Sequence, residues 1–516
     1  MNKIPKIIAV YLPQFYENSD NNLWWGKGFT DWCAVKNAEK CFEGHSAPWI
    51  PLNNNYYDLN TYETLKWQAE IAKKYGIDGF SFYHYYFENG KMELELPAEN
   101  LLKWKDIDMP FCFNWASESW IRSWSKISGN VWSEKYEKTS TSDTSGVLVK
   151  QNYGGKKEWK KHFDYLLPFF KDSRYIRIDN KPVFIFYNPN EISQLDEMVL
   201  LWKKLAAEAG LTGLYIIGVN TNVSGTRLDA SMIYEPRKAI NVLNENEKLI
   251  IKSGVRCFKG SDIWEAIINA KPFVGCKTYF MGVTGYDDTP RRGKKGECIV
   301  ENDPDTFENG MKQLLKKSIQ YGNELVFINA WNEWGEGMYL EPDERWQYEY
   351  LASINKAKNY ISKCTIDSDN LANEYKDLIN AEIFELKREC KKYLDFTNIL
   401  NKWLEAERNG KINFREYFQE MRINSVAIYG MAMLGKQLSQ QLKKENINVE
   451  YGIDRYIGQY GEDFDIIRPE EEYPKVDAII ITVHDNEAVI TMLRQKSTSK
   501  LLILDDIIER FWEKDE

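Results

Sequence analysis

The chain has 516 residues, a formal net charge of −10 and an aromatic complement of 18 Trp, 31 Tyr and 24 Phe. That length accommodates more than one domain, and the acidic balance argues against nucleic acid, whose binders carry basic faces. No run of 18 or more apolar residues occurs, so no membrane-spanning helix is expected.

The first segment, "MNKIPKIIAVYLPQF", lacks the apolar stretch and small-residue cleavage site of a signal peptide and runs directly into a strand-like pattern. It predicts a cytoplasmic protein. Eight short apolar runs then follow in order: "KIIAVYLP", "GIDGFSFYHYY", "MPFCFNWA", "PVFIFYNP", "LYIIGVN", "ASMIYEP", "CKTYFMG" and "ELVFINAW". Amphipathic segments lie between them, among them 60–75, 156–170, 192–209 and 303–321. Repeated strand-then-helix with apolar strands implies a parallel sheet buried on both faces. Eight repeats imply a (β/α)8 TIM barrel, in the α/β class, over residues 1–360.

Beyond it, 361–424 is charged and helix-favouring and reads as a helical connector. From 425 to 516 the pattern becomes strand, glycine turn, helix, strand, which predicts a small Rossmann-like α/β domain. "GMAMLG" places Gly430 and Gly435 where a dinucleotide fingerprint has its first and third glycines, and Asp454 where a ribose-binding acid stands. Ala432 in the middle place leaves less room for a pyrophosphate, so a scaffold or partner-binding role is favoured over a bound nucleotide.

Barrel enzymes work at the carboxyl ends of their strands. There the sequence puts Tyr11 and Gln14, then His84 and Tyr85, then Asn114, Trp115 and Glu118. Tyr187 follows at the fourth strand and Glu235 at the sixth, with Trp331, Asn332, Glu333 and Glu336 at the eighth. Glu333 and Glu336 are three apart, and Gly335 and Gly337, which flank Glu336, favour a turn in which the two share one side. Paired carboxylates beside aromatic rings are the equipment of glycosidic-bond chemistry; the alternative is a solvated loop with capping glutamates. Trp24, Trp25 and Trp115 are candidates for stacking on sugar rings, and Asp31 with the other polar ends for holding hydroxyls. Each is equally a candidate for packing. In "GYDDTPRR", Arg291 and Arg292 either form internal ion pairs with Asp287 and Asp288 or grip an acidic sugar or a diphosphate. Eight cysteines without a CxxC pair and four histidines without an HxxxH arrangement predict free thiols and no metal site.

The strings "IAVYLPQFYEN", "WWGKGFTDW", "GIDGFSFYHYYF", "PFCFNWASESW", "YIRIDNKPVFIFY", "GYDDTPRR" and "FINAWNEWGEGMYLEPD" occur in consistent order over about 5–358. Together they resemble the WbsX-like family of O-antigen and capsule loci, itself similar to glycoside hydrolase family 99. The resemblance implies a barrel without a required cofactor that acts on a mannose-like sugar. It further implies that Glu333 assists attack by the sugar's own 2-hydroxyl while Glu336 protonates the leaving group. The motif here differs in carrying Gly335 between tryptophan and glutamate. The expected partner is an oligosaccharide or polysaccharide, lipid-linked or presented by a nucleotide sugar. The family's habitual label implies the alternative of a nucleotide-sugar-dependent glycosyltransferase in lipopolysaccharide biosynthesis. A non-catalytic glycan-binding assembly protein is the third reading.

Overall fold

The computed structural model describes residues 4–121, 147–366, 369–455, 464–483 and 487–513. The chain folds into two compact units, Met1–Ile379 and Asn380–Glu516.

The first unit is built on strands β1 (Lys6–Tyr11), β2 (Gly79–Tyr86), β3 (Phe111–Trp115), β4 (Lys181–Phe186), β5 (Tyr215–Val219), β6 (Ala230–Met232), β7 (Thr278–Tyr279 and Met281–Val283) and β8 (Leu325–Asn329). They correspond one for one to the eight apolar runs. Every neighbouring pair is parallel, from β1 beside β2 round to β8 beside β1. β7 is broken at Phe280: its first half pairs with β6 and its second with β8. The continuous chain across that break closes the ring, giving a (β/α)8 barrel. β3, β5, β6 and β8 are buried along their whole length, which is why they read as unbroken apolar runs rather than alternating ones.

The surrounding helices fall where their periodicity predicts, at Tyr62–Lys74, Lys156–Phe170, Leu195–Glu208 and Pro304–Gln320. The last begins at Asp303, whose side chain accepts the Thr306 N–H at 2.8 Å, and carries Pro304 at its first position. Phe307, Met311, Leu314, Leu315 and Ser318 form its buried stripe. At Gly310 a Cβ would lie 2.1 Å from Trp264 Cδ2, so only glycine admits that indole.

Three further strands, Ile250–Lys252, Val255–Lys259 and Glu297–Val300, pair as a separate small sheet. It brackets the loop containing Asp287 and Arg291, and an isolated bridge ties Asp287 to Cys298.

The second unit holds a five-stranded parallel sheet of β9 (Val426–Tyr429), β10 (Val449–Ile453), β11 (Ile466–Ile467), β12 (Ala478–Ile481) and β13 (Lys500–Ile503). The order is β11-β10-β9-β12-β13. Alternate residues feed two clusters: Ile428, Ala478 and Ile480 pack with Trp403, Phe414 and Phe418, while Ala427, Ile479 and Ile481 pack with Tyr451 and Leu493. The far end of helix Asp369–Arg408 and helix Phe414–Met421 therefore belong to this core. Gly430 stands at φ +93, and a Cβ on Gly435 would lie 2.1 Å from the Gly430 carbonyl oxygen. The glycines thus meet the packing of turn against helix. Asp454 Oδ2 accepts the Met431 N–H at 2.7 Å, tying β10 to the glycine turn.

Candidate active site at the barrel mouth

A cleft of about 530 Å³ opens at the carboxyl ends of the barrel strands. Of the predicted residues, Gln14, Trp25, Tyr85, Glu118, Tyr187, Glu235, Arg291, Arg292, Glu333 and Glu336 line it. Arg291 is the centre of the arrangement. Its guanidinium donates to Glu333 Oε1 at 3.0 Å and Asp31 Oδ1 at 3.3 Å through one nitrogen, and to Glu336 Oε1 through the other. The internal ion-pair reading of "GYDDTPRR" is met only in part, since Arg291 pairs with Asp31, Glu333 and Glu336 rather than with Asp287 or Asp288. Arg292 meets Asp288 at 3.2 Å, and Arg237 meets Glu297 at 2.6 Å.

The two glutamates differ in exposure, the side chain of Glu333 retaining 10% and that of Glu336 29%. Burial pushes the Glu333 carboxyl well above the usual range; Arg291 opposes this, and Glu336 and Asp31 reinforce it. Asp31 is likewise raised by burial against the pull of Arg291. The guanidinium itself, although penalised by burial, is held charged by Asp31, Glu336 and Glu333. Gly335 is required here: a Cβ would stand 2.5 Å from Asp31 Oδ2 and 2.9 Å from an Arg291 nitrogen. The glycine that sets this motif apart admits the ion-pair cluster.

Tyr83, Tyr85, Tyr187, Tyr234 and Tyr286 form the walls, and the hydroxyls of Tyr83 and Tyr234 hydrogen-bond each other. Of these walls, Tyr85 and Tyr187 are predicted site residues and Tyr234 stands beside the predicted Glu235; Tyr83 and Tyr286 were not among the predicted residues, nor were the further lining residues Asn21 and Trp120. For Tyr83 the signal was present in strand alternation: on β2, Tyr83 and Tyr85 share one face and His84 and Tyr86 the other. Accordingly, His84 lies outside the cleft, its Nε2 2.7 Å from His162 Nε2.

Several other predicted contacts belong to the fold rather than the lining. Tyr11 is fully buried and donates to Gln68 Oε1 at 2.7 Å. Trp24 lies edge-on to Trp120, and Trp115 donates to the Tyr86 carbonyl. Asn114 is fully buried, and Asp31 sits behind the guanidinium. Trp331 packs on Phe80 with centroids 5.0 Å apart. Asn332 spends both ends of its amide on the Leu12 backbone, at 2.8 and 3.0 Å. Trp334, stacked on Tyr339 and donating to Glu341 at 2.7 Å, is also core. The tryptophans of the "WNEWGE" motif thus anchor the loop that carries the glutamates; they are not sugar platforms.

His45, Asp287 and Cys298 present possible ligand atoms within 4.8 Å of one another. The Cys41 N–H, however, donates to His45 Nδ1 at 3.2 Å, which puts the ring proton on Nε2, facing Asp287 Oδ2 at 2.6 Å. A ligating imidazole ordinarily donates from its second nitrogen. This one accepts there, so the group fits a hydrogen-bonded pair better than a metal centre.

Glu235 lies at the edge of the cleft, 1% exposed, with Oε2 accepting the Ala239 N–H at 2.8 Å. Burial raises its carboxyl from 4.5 to about 7. The folded state therefore keeps a proton that the unfolded chain releases near 4.5. That contribution is complete at low pH and is lost as pH climbs through about 7. Comparing urea unfolding of wild type and Glu235→Gln at pH 4.5 and pH 8 is expected to show wild type losing about 3 kcal/mol more than the variant. Parallel pH profiles would refute the assignment.

The sequence model of the family described as Glycosyltransferase WbsX matches residues 7–354, which include both glutamates and the eight barrel strands except for Lys6 at the start of β1. The chain belongs to the WbsX glycosyltransferase family. Proteins called "Uncharacterized protein WxcX" from two strains of Xanthomonas campestris pv. campestris are each 27% identical to this chain over 362 residues. The match covers 68% of this chain and 49% of each relative, so the chain spans about half the length of the curated relatives it matches. Among solved structures, a glycoside hydrolase-like protein is 14% identical with a TM-score of 0.43, covering 69% of this chain and 94% of its own. A GH99 endo-alpha-mannosidase from Bacteroides thetaiotaomicron, solved with BIS-TRIS-propane, is 15% identical with a TM-score of 0.40, covering 69% and 97%. At those scores the likeness adds nothing to the WbsX-family barrel that strand pairing itself shows. No helix among the described residues is long and apolar enough to cross a membrane.

Proposed function

We propose that this WbsX-family barrel cleaves or forms a glycosidic bond in bacterial surface-polysaccharide (O-antigen or capsule) metabolism, with Glu333 and Glu336 as the reacting pair. The observation that carries the reading is one guanidinium, Arg291, hydrogen-bonded to both carboxylates at the floor of a tyrosine-walled cleft. A carboxylate of ordinary proton affinity is a feeble base towards a sugar hydroxyl. Raising that affinity strengthens the base, and burial does this at Glu333 while Arg291 favours its ionised form. Glu333 then takes the proton of the 2-hydroxyl on a mannose-like sugar as that oxygen attacks the anomeric carbon. Glu336, nearer solvent, gives its proton to the departing oxygen. It then takes a proton from the water or acceptor hydroxyl that attacks the anomeric carbon and opens the 1,2-anhydro ring, while Glu333 returns its proton to O2. The barrel needs no cofactor for these steps.

The family's description as a glycosyltransferase supports a second reading, sugar transfer, for which we propose a nucleotide sugar as donor and a lipid-linked acceptor. For the second unit, read as Rossmann-like, we propose a scaffold or partner-binding role; the engagement of Asp454 with the glycine turn supports it. Mass spectrometry tests these alternatives on the host's surface polysaccharide, and separately on lipid-linked acceptor with nucleotide sugars, wild type beside Glu336→Gln. Fragments made only by wild type mean hydrolysis, and an acceptor heavier by one sugar means transfer. Silence in both favours a glycan-binding assembly protein.

A further inference from the structure

Three loops converge behind the glutamates. The segment after β1 brings Asp31 and His45, the one after β7 brings Asp287 to Arg291, and the one after β8 brings Glu333 and Glu336. His45 and Asp287 are 5% and 4% exposed and lie outside the cleft lining. With Nδ1 accepting from the Cys41 backbone, the His45 ring donates Nε2–H to Asp287 Oδ2. The other carboxylate oxygen, Oδ1, accepts the N–H of Thr289 at 2.9 Å, at the start of the short helix Thr289–Arg292. The N–H of Asp287 donates to the Glu336 carbonyl at 2.6 Å. One residue therefore fixes both the turn that presents the guanidinium and the backbone that presents the carboxylate.

We propose that His45 and Asp287 are positioning residues that hold Arg291 in register with Glu333 and Glu336. The proposal deepens the glycosidic-bond reading and rests on it only for what the glutamates do. Donor and acceptor counting makes it specific. In Asp287→Asn the amide oxygen must still accept the Thr289 N–H, which leaves the amide nitrogen facing the His45 Nε2–H, donor against donor. Moving the ring proton to Nδ1 merely transfers the conflict to the Cys41 N–H. An isosteric change thus breaks the pair. His45→Gln, by contrast, places an amide N–H at nearly the reach of Nε2 and keeps a donor for Asp287, whereas His45→Ala removes it.

Glu333 reports the result. The groups facing it are Arg291, Glu336 and Asp31, with the tyrosine hydroxyls of Tyr85, Tyr187 and Tyr234 on the adjoining walls. A guanidinium in contact lowers a carboxylate by about 1–3 units, so a displaced Arg291 raises the Glu333 midpoint. The experiment follows the carboxyl band by infrared spectroscopy across pH in the full chain, assigned by its loss in Glu333→Gln. The expected result is a midpoint higher by about one unit or more in Asp287→Asn and His45→Ala, and a return to the wild-type midpoint in His45→Gln. An unchanged midpoint in Asp287→Asn overturns the proposal, and so does a His45→Gln midpoint displaced as far as that of Asp287→Asn. If His45→Ala does not fold, the other two variants decide. The readout needs no turnover: a chain without glycosidic activity that shows these shifts loses the proposed function and keeps the positioning pair.

Discussion

Arg291→Leu is expected to cost about 3–5 kcal/mol of stability at neutral pH, the usual penalty for removing one partner of a buried charge cluster, and to abolish activity. Asp31 and Glu333 lie under the surface against this guanidinium. Among the described residues it is the cation within hydrogen-bonding reach of both. Without it their carboxyls, already raised by burial, are raised further. The sign follows from proton binding. A carboxyl that holds its proton more tightly when folded contributes stability below its unfolded value and loses it as pH rises through the folded one. The deficit of the variant is therefore largest at alkaline pH and shrinks towards pH 4, where protonation relieves the unpaired charges. Urea unfolding at pH 4.5 and pH 8 checks this, and a deficit that does not vary with pH would show the cluster to be held by packing. Arg291→Lys should recover only part of the loss, because an ammonium cannot span carboxylates lying on different sides of a planar fork.

How much of this was legible depends on which physical constraint each residue serves. The eight strands were readable because parallel strands buried on both faces must be apolar throughout, and all eight runs are barrel strands. The break of β7 at Phe280 was not readable, since both halves look like one apolar run. Strand alternation was sufficient to divide Tyr83 and Tyr85 from His84 and Tyr86, yet the sequence reading put His84 with Tyr85 in the site, which a period of two forbids. The tryptophans misled for a different reason. A motif rich in tryptophan beside glutamates looks like a sugar platform, but Trp331 and Trp334 are fully buried and brace the turn. Asn332 was legible as special and illegible as to why: its amide completes the Leu12 backbone, 320 residues away in sequence. The role of Asp31, and the partnership of His45 with Asp287 across 242 residues, depend on loop convergence that no local pattern encodes.

Under the proposed assignment, Glu333→Gln and Glu336→Gln each lower turnover by about 10²–10⁴-fold, the range for losing a positioned acid or base. The fold should survive both changes, because Arg291 keeps two of its three carboxylates in either variant. The double variant is expected to be no slower than the worse single one, since groups acting in one step are not additive. The two roles separate by leaving group. An aryl glycoside whose phenolate departs unprotonated bypasses the acid, so Glu336→Gln should regain most of its rate on that substrate. Glu333→Gln should not, because the attacking hydroxyl still has to lose its proton. Rescue of Glu333→Gln instead would exchange the two assignments, and wild-type turnover by both variants would remove the pair from the chemistry. The Arg291 contact makes the outcome sharper still. In Glu336→Gln the guanidinium loses one competing carboxylate and bears more fully on Glu333. The base-controlled limb of the pH profile should therefore move to lower pH in that variant, a shift that a simple loss of acid would not produce.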